Sequence, residues 1–127
     1  RGFDEYFNAP HSRFSYVLRD DIISCSDLEL LAESDDAGVY LAASKDMRQI
    51  YVTGHPEYDS DTLKLEYERD MLKGISQSSY SANYFPGNDP SKQPHNSWRS
   101  HAHLLYSNWL NYCVYQTTPY NIEEIGR

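Results

Sequence analysis

The sequence predicts an α/β domain in which strand, tight turn and helix follow one another, with too few strands for a complete parallel sheet. Two apolar, partly β-branched runs stand on either side of a polar loop, and a helical pattern begins shortly after the second run. The chain has 127 residues, which is enough for one modest hydrophobic core. We therefore expect one α/β unit whose remaining strands lie upstream of Arg1.

The first part of the chain is expected to be largely irregular. Residues 1–17 mix aromatic and polar side chains without a clean helical or strand period, and the segment is expected to end in a short strand at residues 13–18. A second short strand is predicted at residues 28–33. The Asp and Gly residues of segment 34–38 accept the backbone angles of a tight turn, so a turn should follow.

Two further strands are expected to pair with each other. Residues 39–43 and 49–53 are apolar and partly β-branched, and the polar residues 44–48 between them are typical of a hairpin loop. These runs are predicted to form an antiparallel pair.

A helix is predicted for residues 61–73. Asp59 or Ser60 carries the side-chain oxygen that suits an N-cap, and Gly74 is typical of a helix C-terminus. Apolar side chains recur every four residues, so one stripe should face the core. The stripe consists of Leu63, Tyr67 and Met71.

The last third of the chain predicts a long loop and a final helix. Residues 76–97 contain three prolines and no periodicity, and the aromatic side chains among them favour an ordered loop over a plain linker. Ser97 is the expected N-cap of the helix, whose apolar residues alternate four and three apart and should form one buried face. That face consists of Trp98, Ala102, Leu105, Trp109 and Tyr112.

Composition argues against two kinds of partner. The formal net charge of -8, from 11 Lys and Arg against 19 Asp and Glu, repels phosphate backbones and argues against nucleic-acid binding. No apolar run approaches the roughly 18 to 20 residues that a membrane-spanning helix needs, and no signal-peptide pattern is present. We expect a soluble protein of the cytoplasm that binds neither nucleic acid nor membranes.

The cysteines and histidines predict neither a disulfide nor a metal site. Cys25 and Cys113 lie far apart without CxxC spacing, so two reduced thiols with structural roles are expected. Five histidines are present, but His101 and His103 would point to different sides of a helix, and no second ligand cluster accompanies them.

The most informative motif consists of Gly54, His55, Pro56 and Glu57. It lies directly after the strand predicted at 49–53, and open α/β sheets place their binding crevices at such strand ends. Extended backbone, which Pro56 favours, would point His55 and Glu57 the same way. Glu57 could then accept a hydrogen bond from one imidazole nitrogen and leave the other free to take a proton from a nucleophile. The alternative is an ordinary surface His–Glu hydrogen bond.

Individually rare motifs occur along almost the whole chain. They lie at residues 1–12, 43–46, 52–59, 83–86, 88–90, 97–101, 108–112 and 118–120. In this order they closely resemble the homoserine O-acyltransferases of methionine biosynthesis, both succinyl and acetyl, and the chain is similar to the C-terminal part of such an enzyme.

The resemblance implies a class I glutamine amidotransferase-like fold, a flavodoxin-like layered sheet, with residues 1–127 as the C-terminal part of a single acyltransferase domain. It implies ping-pong transfer of an acyl group from succinyl-CoA or acetyl-CoA to the hydroxyl of L-homoserine through a cysteine thioester. His55 matches the general base of a Cys-His-Glu triad, and Glu57 matches the residue that orients it. Ser12 and Arg69 match substrate contacts. The cysteine belongs upstream, so the chain alone is expected to be inactive.

The resemblance also implies a homodimer with acyl-CoA as co-substrate and no other cofactor. Two other functions stay open. One is a glutamine-amidotransferase-like amidase, because the His-Pro-Glu arrangement serves that chemistry as well. The other is a non-catalytic fragment or interaction module. For single residues, the alternatives are surface pairing of Arg69 with Glu66 along the helix and simple solvation of Ser12.

Overall fold

The computed structural model of the protein describes residues 1–75, 82–119 and 121–124. In chain order these residues form α1 (Arg19–Ser24), β1 (Leu28–Ser34), β2 (Gly38–Ser44), β3 (Ile50–Val52), α2 (Thr62–Leu72) and α3 (Arg99–Asn108). The final helix continues through a π-helical turn at Trp109–Val114 into α4 (Tyr115–Thr117). Single 3-10 turns lie at Pro86–Asn88 and Ile122–Glu124.

The three strands form an antiparallel sheet in the order β1-β2-β3. The predicted strands at 28–33, 39–43 and 49–53 are confirmed, although the last is shorter, and Ala42 pairs with Tyr51 as the hairpin prediction requires. The central strand is buried on both faces, with Val39, Tyr40, Ala42 and Ala43 in the core. The described residues therefore form a small α/β domain.

The turn between β1 and β2 follows from its side-chain chemistry. The hydroxyl of Ser34 accepts hydrogen bonds from the backbone N–H groups of Asp36 and Ala37. Gly38 has φ +73°, a conformation that residues with a Cβ rarely adopt. The predicted turn at 34–38 is confirmed.

The strand predicted at residues 13–18 is wrong. These residues are not part of the sheet, and the chain enters α1 immediately after them. Arg13 explains the difference. Its guanidinium donates to the backbone carbonyl of Ala37, in the turn between β1 and β2, and to that of Thr53, directly after β3. The segment therefore crosses the end of the sheet, where it cannot extend the ladder.

The α2 helix begins later than predicted and is capped by a distant residue. Its N-cap is Asp61, without a side-chain cap, so the prediction of Asp59 or Ser60 is wrong. The hydroxyl of Tyr84 instead accepts from the N–H of Lys64 at 3.3 Å and donates to the carbonyl of Ser60 at 2.5 Å. A first-turn amide that the local sequence leaves unpaired is thus satisfied by the following loop.

The predicted end of α2 at Gly74 is confirmed, because its N–H bonds to the carbonyl of Met71 and its φ is +66°. The buried stripe is only partly correct: Leu63 is buried, whereas the side chain of Met71 is exposed and Asp70 is buried in its place. At 100° per residue, position 71 is rotated about 80° from position 63, and position 70 only about 20°.

The N-cap of the final helix is Trp98, not Ser97 as predicted, and Asn96 satisfies the first amides from outside the helix. The side-chain oxygen of Asn96 accepts from the backbone N–H groups of Trp98 and Arg99 at 3.2 and 2.9 Å. The predicted helix is confirmed, but its buried face ends early. Trp98, Ala102 and Leu105 are buried, whereas Trp109 and Tyr112 are exposed. The π-helical turn has more residues per turn than an α-helix and therefore moves Cys113 to the buried side.

The loop before α3 is ordered over the part that is described, as predicted. Phe85 is only 3% exposed and contacts the rings of Tyr67 and Tyr84 edge-on. Residues 76–81 of the predicted loop lie outside the described residues. The aromatic side chains of this loop therefore fix its position against α2.

Both cysteines are free thiols, as predicted, but only Cys113 is buried and Cys25 is exposed. Among the residues with described structure, no helix combines the length and apolar character needed to cross a bilayer.

A close backbone approach joins the N-terminal segment to the end of the hairpin. The N–H of His55 donates to the carbonyl of Pro10 at 2.8 Å. A Cβ on Gly54 would lie 2.8 Å from that carbonyl oxygen and 2.8 Å from a ring carbon of Tyr40. Glycine is therefore required here for space, and the approach positions the loop that follows β3.

We expect Gly54→Ala to lower the free energy of unfolding by about 1–3 kcal/mol, because the added methyl group must displace a backbone carbonyl or a buried ring. Urea denaturation measures this change. Ser100→Ala, on the exposed side of α3, is the control and should change stability by less than about 0.5 kcal/mol. An equally small effect of Gly54→Ala would contradict the packing argument.

Candidate functional site

His55 and Glu57 lie side by side in the loop after β3. Nδ1 of His55 is 2.8 Å from Oε1 of Glu57, and the two side chains are 33% and 53% exposed. Pro56 between them is buried, and the N–H of Tyr58 bonds to the carbonyl of His55 at 3.1 Å. The loop is therefore held by its backbone while the imidazole and the carboxylate stay accessible.

The second ring nitrogen of His55 is not free, contrary to the sequence prediction. Nε2 lies 3.3 Å from the backbone carbonyl oxygen of Ser12. A neutral imidazole has one donor nitrogen, whereas both ring nitrogens here face oxygen acceptors. Only the doubly protonated ring can donate to Glu57 and Ser12 together.

The ring of Tyr58 covers one face of His55. Their centroids are 4.3 Å apart and the rings are inclined by 12°, which is a stacked arrangement. The carbonyl of Tyr58 accepts from the indole N–H of the buried Trp98 at 3.0 Å. This contact ties the His55 loop to the start of α3.

Ser12 is bonded to α2 and is not simply solvated. Its hydroxyl donates to Oε2 of Glu66 at 2.7 Å, and the hydroxyl of Tyr58 donates to Oε1 of the same carboxylate at 2.9 Å. Burial and the hydrogen bond to Glu66 raise the pKa of Tyr58, so its phenol keeps the proton that it donates. The contacts close a ring of four residues through His55, Ser12, Glu66 and Tyr58.

Arg69 is paired with Asp70, so the alternative of pairing with Glu66 is wrong. Its Nε donates to Oδ1 of Asp70 at 2.8 Å. The carboxylate is almost fully buried, while the arginine side chain is 55% exposed. Arg69 nevertheless lies three residues after Glu66 on α2, where side chains share a helix face. Ser12 is bonded to Glu66, which shares a face of α2 with Arg69, so the two residues are connected through the helix and not by direct contact.

The sequence analysis did not single out His11, Arg13 and Tyr40, which surround this ring of residues. Arg13 donates to Nδ1 of His11 at 3.0 Å and to the hydroxyl of Thr53 at 2.7 Å. Burial, followed by the charges of Arg13 and His55, lowers the pKa of His11 to about 4. Burial also raises the pKa of Tyr40 to about 12. The sequence signal that could have identified this group was Arg13, a charged residue within the aromatic-rich segment 1–17.

A large open cavity of about 2300 Å³ adjoins the site. Ser12, Arg13, Glu66 and Arg69 line it, whereas His55 and Glu57 do not. The cavity therefore lies on the face that carries Ser12 and Arg69.

Within the described parts of the chain, no group of three or more His, Cys, Asp or Glu side chains is arranged to hold a metal ion. The residues that are brought together are suited to proton transfer and to binding a charged ligand. The His55–Glu57 pair has the geometry of a base with its orienting carboxylate.

The chain matches the family model described as homoserine O-succinyltransferase over residues 1–120. It is 58% identical to a homoserine O-succinyltransferase of Tolumonas auensis over its whole length, which covers 40% of that protein. It is also 58% identical to a homoserine O-acetyltransferase of Thermotoga neapolitana over 98% of the chain and 41% of the relative, and 57% identical to a homoserine O-succinyltransferase of Aeromonas hydrophila. The chain thus spans about two fifths of these curated relatives.

Acidification should destabilise the protein through His11. Its pKa is about 4 in the folded chain and about 6.5 in an unfolded one, so between these pH values the unfolded state binds the proton more tightly. The contribution is present above pH 6.5 and is lost as the pH falls towards 4. We expect this contribution of His11 to the free energy of unfolding to be about 1–2 kcal/mol, after allowance for its partial exposure.

Urea unfolding of the wild type and of His11→Gln at pH 7 and pH 4 measures this contribution. The carboxylates titrate in both proteins, so their effects cancel in the comparison. The wild type should lose more stability on acidification than His11→Gln, and equal losses would contradict the assignment.

Proposed function

Since this chain belongs to the homoserine O-succinyltransferase family, we propose that it is the part of a homoserine O-acyltransferase of methionine biosynthesis that supplies the general base. The enzyme transfers a succinyl or acetyl group from acyl-CoA to the hydroxyl of L-homoserine. The observation that carries the proposal is the 2.8 Å contact between His55 and Glu57, within a chain that matches the family from residue 1 to residue 120.

In the first half-reaction, His55 takes the proton of a cysteine thiol supplied by the rest of the enzyme. The thiolate attacks the thioester carbonyl, and the CoA sulfur leaves and takes the proton back from the imidazolium. In the second half-reaction, His55 takes the proton of the homoserine hydroxyl, whose oxygen attacks the acyl-enzyme carbonyl. The cysteine sulfur leaves and takes the proton back from the imidazolium. No redox step or additional co-reactant is needed, and acyl-CoA is consumed as a co-substrate.

Glu57 holds the imidazole and stabilises its positive charge after each proton transfer. The contacts of His55 suit that charged state, because both ring nitrogens face oxygen atoms. The 3.3 Å contact to Ser12 is long for a hydrogen bond, so a thiol or hydroxyl can share or replace it at Nε2.

Ser12 and Arg69 bind homoserine in this proposal. The guanidinium of Arg69 uses only Nε for Asp70, and its two terminal nitrogens make no hydrogen bond with any described residue. A planar fork of this kind binds both oxygens of an amino-acid carboxylate. Arg69 and Ser12 also line the same cavity, which supports a common ligand.

We propose that residues 1–127 complete a class I glutamine amidotransferase-like, flavodoxin-like domain whose other part supplies the cysteine. The relatives are about two and a half times as long as the chain, which supports a missing larger part. The exposed aromatic residues Tyr6, Phe14 and Tyr16, at 90%, 97% and 73% exposure, are suited to packing against it. The chain alone is then inactive.

The proposal places the enzyme in the cytoplasm as a homodimer. Trp109, Tyr112 and Tyr115 at the end of the chain are partly exposed, and aromatic side chains of this kind are enriched in subunit interfaces. Succinyl-named and acetyl-named relatives are equally similar to the chain, which supports our proposal that the residue selecting the acyl donor belongs to the other part of the enzyme.

We expect His55→Ala in the full-length enzyme to slow both half-reactions by at least about 100-fold, because each requires proton transfer. Glu57→Ala should be severe but less complete, since the base remains without its orienting partner. Release of CoA in a single turnover measures the first step, and acyl transfer to homoserine measures the second. His103→Ala, an exposed histidine of α3, is the control. Undiminished acyl-enzyme formation by His55→Ala would overturn the assignment.

Arg69→Ala should raise the KM for homoserine and leave acylation by the thioester unchanged, because the fork binds the amino-acid carboxylate. Arg69→Lys keeps the charge without the fork and should recover only part of the loss. Lys73→Ala, which removes an exposed cation next to the same helix, is the matched control. Equal loss in both half-reactions would instead indicate that Arg69 stabilises the fold through Asp70.

A further inference from the structure

Glu66 has a position that the proposed mechanism does not use. It lies on α2 with its side chain half-buried, and each oxygen of its carboxylate accepts a different hydroxyl hydrogen. The hydroxyl of Ser12 donates to one oxygen at 2.7 Å and that of Tyr58 to the other at 2.9 Å. These two residues are 46 positions apart in sequence, so the carboxylate joins two separate segments.

The two segments that Glu66 joins are those that hold His55 on two sides. The carbonyl of Ser12 lies 3.3 Å from Nε2, and the ring of Tyr58 stacks on the imidazole at 4.3 Å. Hydrogen bonds to a carboxylate are short and strong compared with neutral ones, and each restricts its donor. Glu66 therefore limits the movement of both surfaces against which the imidazole rests.

The two hydroxyls that Glu66 binds, those of Ser12 and Tyr58, have no other partner among the described residues. The raised pKa of Tyr58 keeps its phenol protonated and thus a donor. The buried Leu63, three residues before Glu66, anchors that stretch of α2 in the core. The carboxylate is thus fixed to a packed helix, while its two partners belong to loops.

We propose that Glu66 is a positioning residue, which holds His55 for proton transfer by tethering Ser12 and Tyr58 on either side of the imidazole. This inference rests on the proposed role of His55 as the base. It has a consequence for the substrate site: a serine hydroxyl whose hydrogen is given to Glu66 meets a ligand only as an acceptor. Ser12 then suits a donor group of the amino acid, such as its ammonium.

The test uses the full-length enzyme with five single variants, one of them His55→Ala, and one double variant. Glu66→Ala removes both hydrogen bonds. Glu66→Gln keeps them, because its carbonyl oxygen accepts one hydroxyl and its NH2 group donates to the other. Tyr58→Phe removes one bond and leaves the ring stacked on His55. Glu68→Gln is the matched control, because Glu68 is exposed on the same helix and has no hydrogen-bond partner among the described residues.

The first measurement is the rate of acyl-enzyme formation, which needs His55 but not homoserine. Glu66→Ala should lower this rate by about 10- to 100-fold, the effect of a misplaced catalytic group. Glu66→Gln should retain most of the rate, and Glu68→Gln all of it. Wild-type acylation by Glu66→Ala, or equal losses in Glu66→Ala and Glu66→Gln, would overturn the proposal, since only the tether differs between these two.

The second measurement is the double variant Glu66→Ala/Tyr58→Phe. Once Glu66 is removed, the tyrosine hydroxyl has lost its partner, so the double variant should acylate about as slowly as Glu66→Ala alone. Additive losses would show that Tyr58 and Glu66 act independently. Melting temperatures identify a variant that fails to fold. If that variant is Glu66→Ala, Tyr58→Phe decides: slower acylation with an unchanged melting temperature supports the tether, and an unchanged rate overturns it.

His55→Ala is measured in the same series, so that the two proposals can fail separately. Full acylation by His55→Ala would remove the proposed base and the reason for a tether. Loss of acylation in His55→Ala together with wild-type acylation in Glu66→Ala would leave the base in place and reject the tether alone.

Discussion

The site depends on the close approach between the N-terminal segment and the end of the β2–β3 hairpin. The hydrogen bond from the N–H of His55 to the carbonyl of Pro10 is possible because Gly54 has no side chain in that space. It brings the residues that follow Pro10 alongside the residues that follow β3. Without this contact the imidazole would have its carboxylate partner but neither the carbonyl of Ser12 nor a connection to α2.

Charge is distributed around this contact in a consistent way. His11 is held neutral by burial and by Arg13, so it does not compete as a cation with His55. Arg13 itself is bound by backbone carbonyls and a threonine hydroxyl, which fix its position without neutralising it by a carboxylate. Glu57 contacts the imidazole directly, and Glu66 binds the hydroxyls of Ser12 and Tyr58, the two residues that flank the imidazole. If His55 is the base that we propose, its ring can donate to Glu57 and to the carbonyl of Ser12 while it carries the proton.

The chain also shows where further protein would be expected to pack. Large aromatic side chains are exposed at both ends of the described structure, in the segment before α1 and in the turns after α3. These residues flank the cavity that Ser12 and Arg69 line, so packing on them would enclose that cavity. The incomplete coverage of this surface agrees with a chain that spans about two fifths of its relatives.

The sequence alone determined the local features. The turn at 34–38, the antiparallel hairpin, the end of α2 at Gly74 and the neighbourhood of His55 and Glu57 all depend on residues a few positions apart, where propensity and spacing decide. The tertiary structure alone decided the rest. Tyr84 caps α2 from 20 residues away, Ser12 reaches His55 across 43 positions, and Glu66 connects both to Tyr58. Such pairings depend on how distant segments pack, and no local pattern encodes which hydroxyl will satisfy a particular amide or carboxylate.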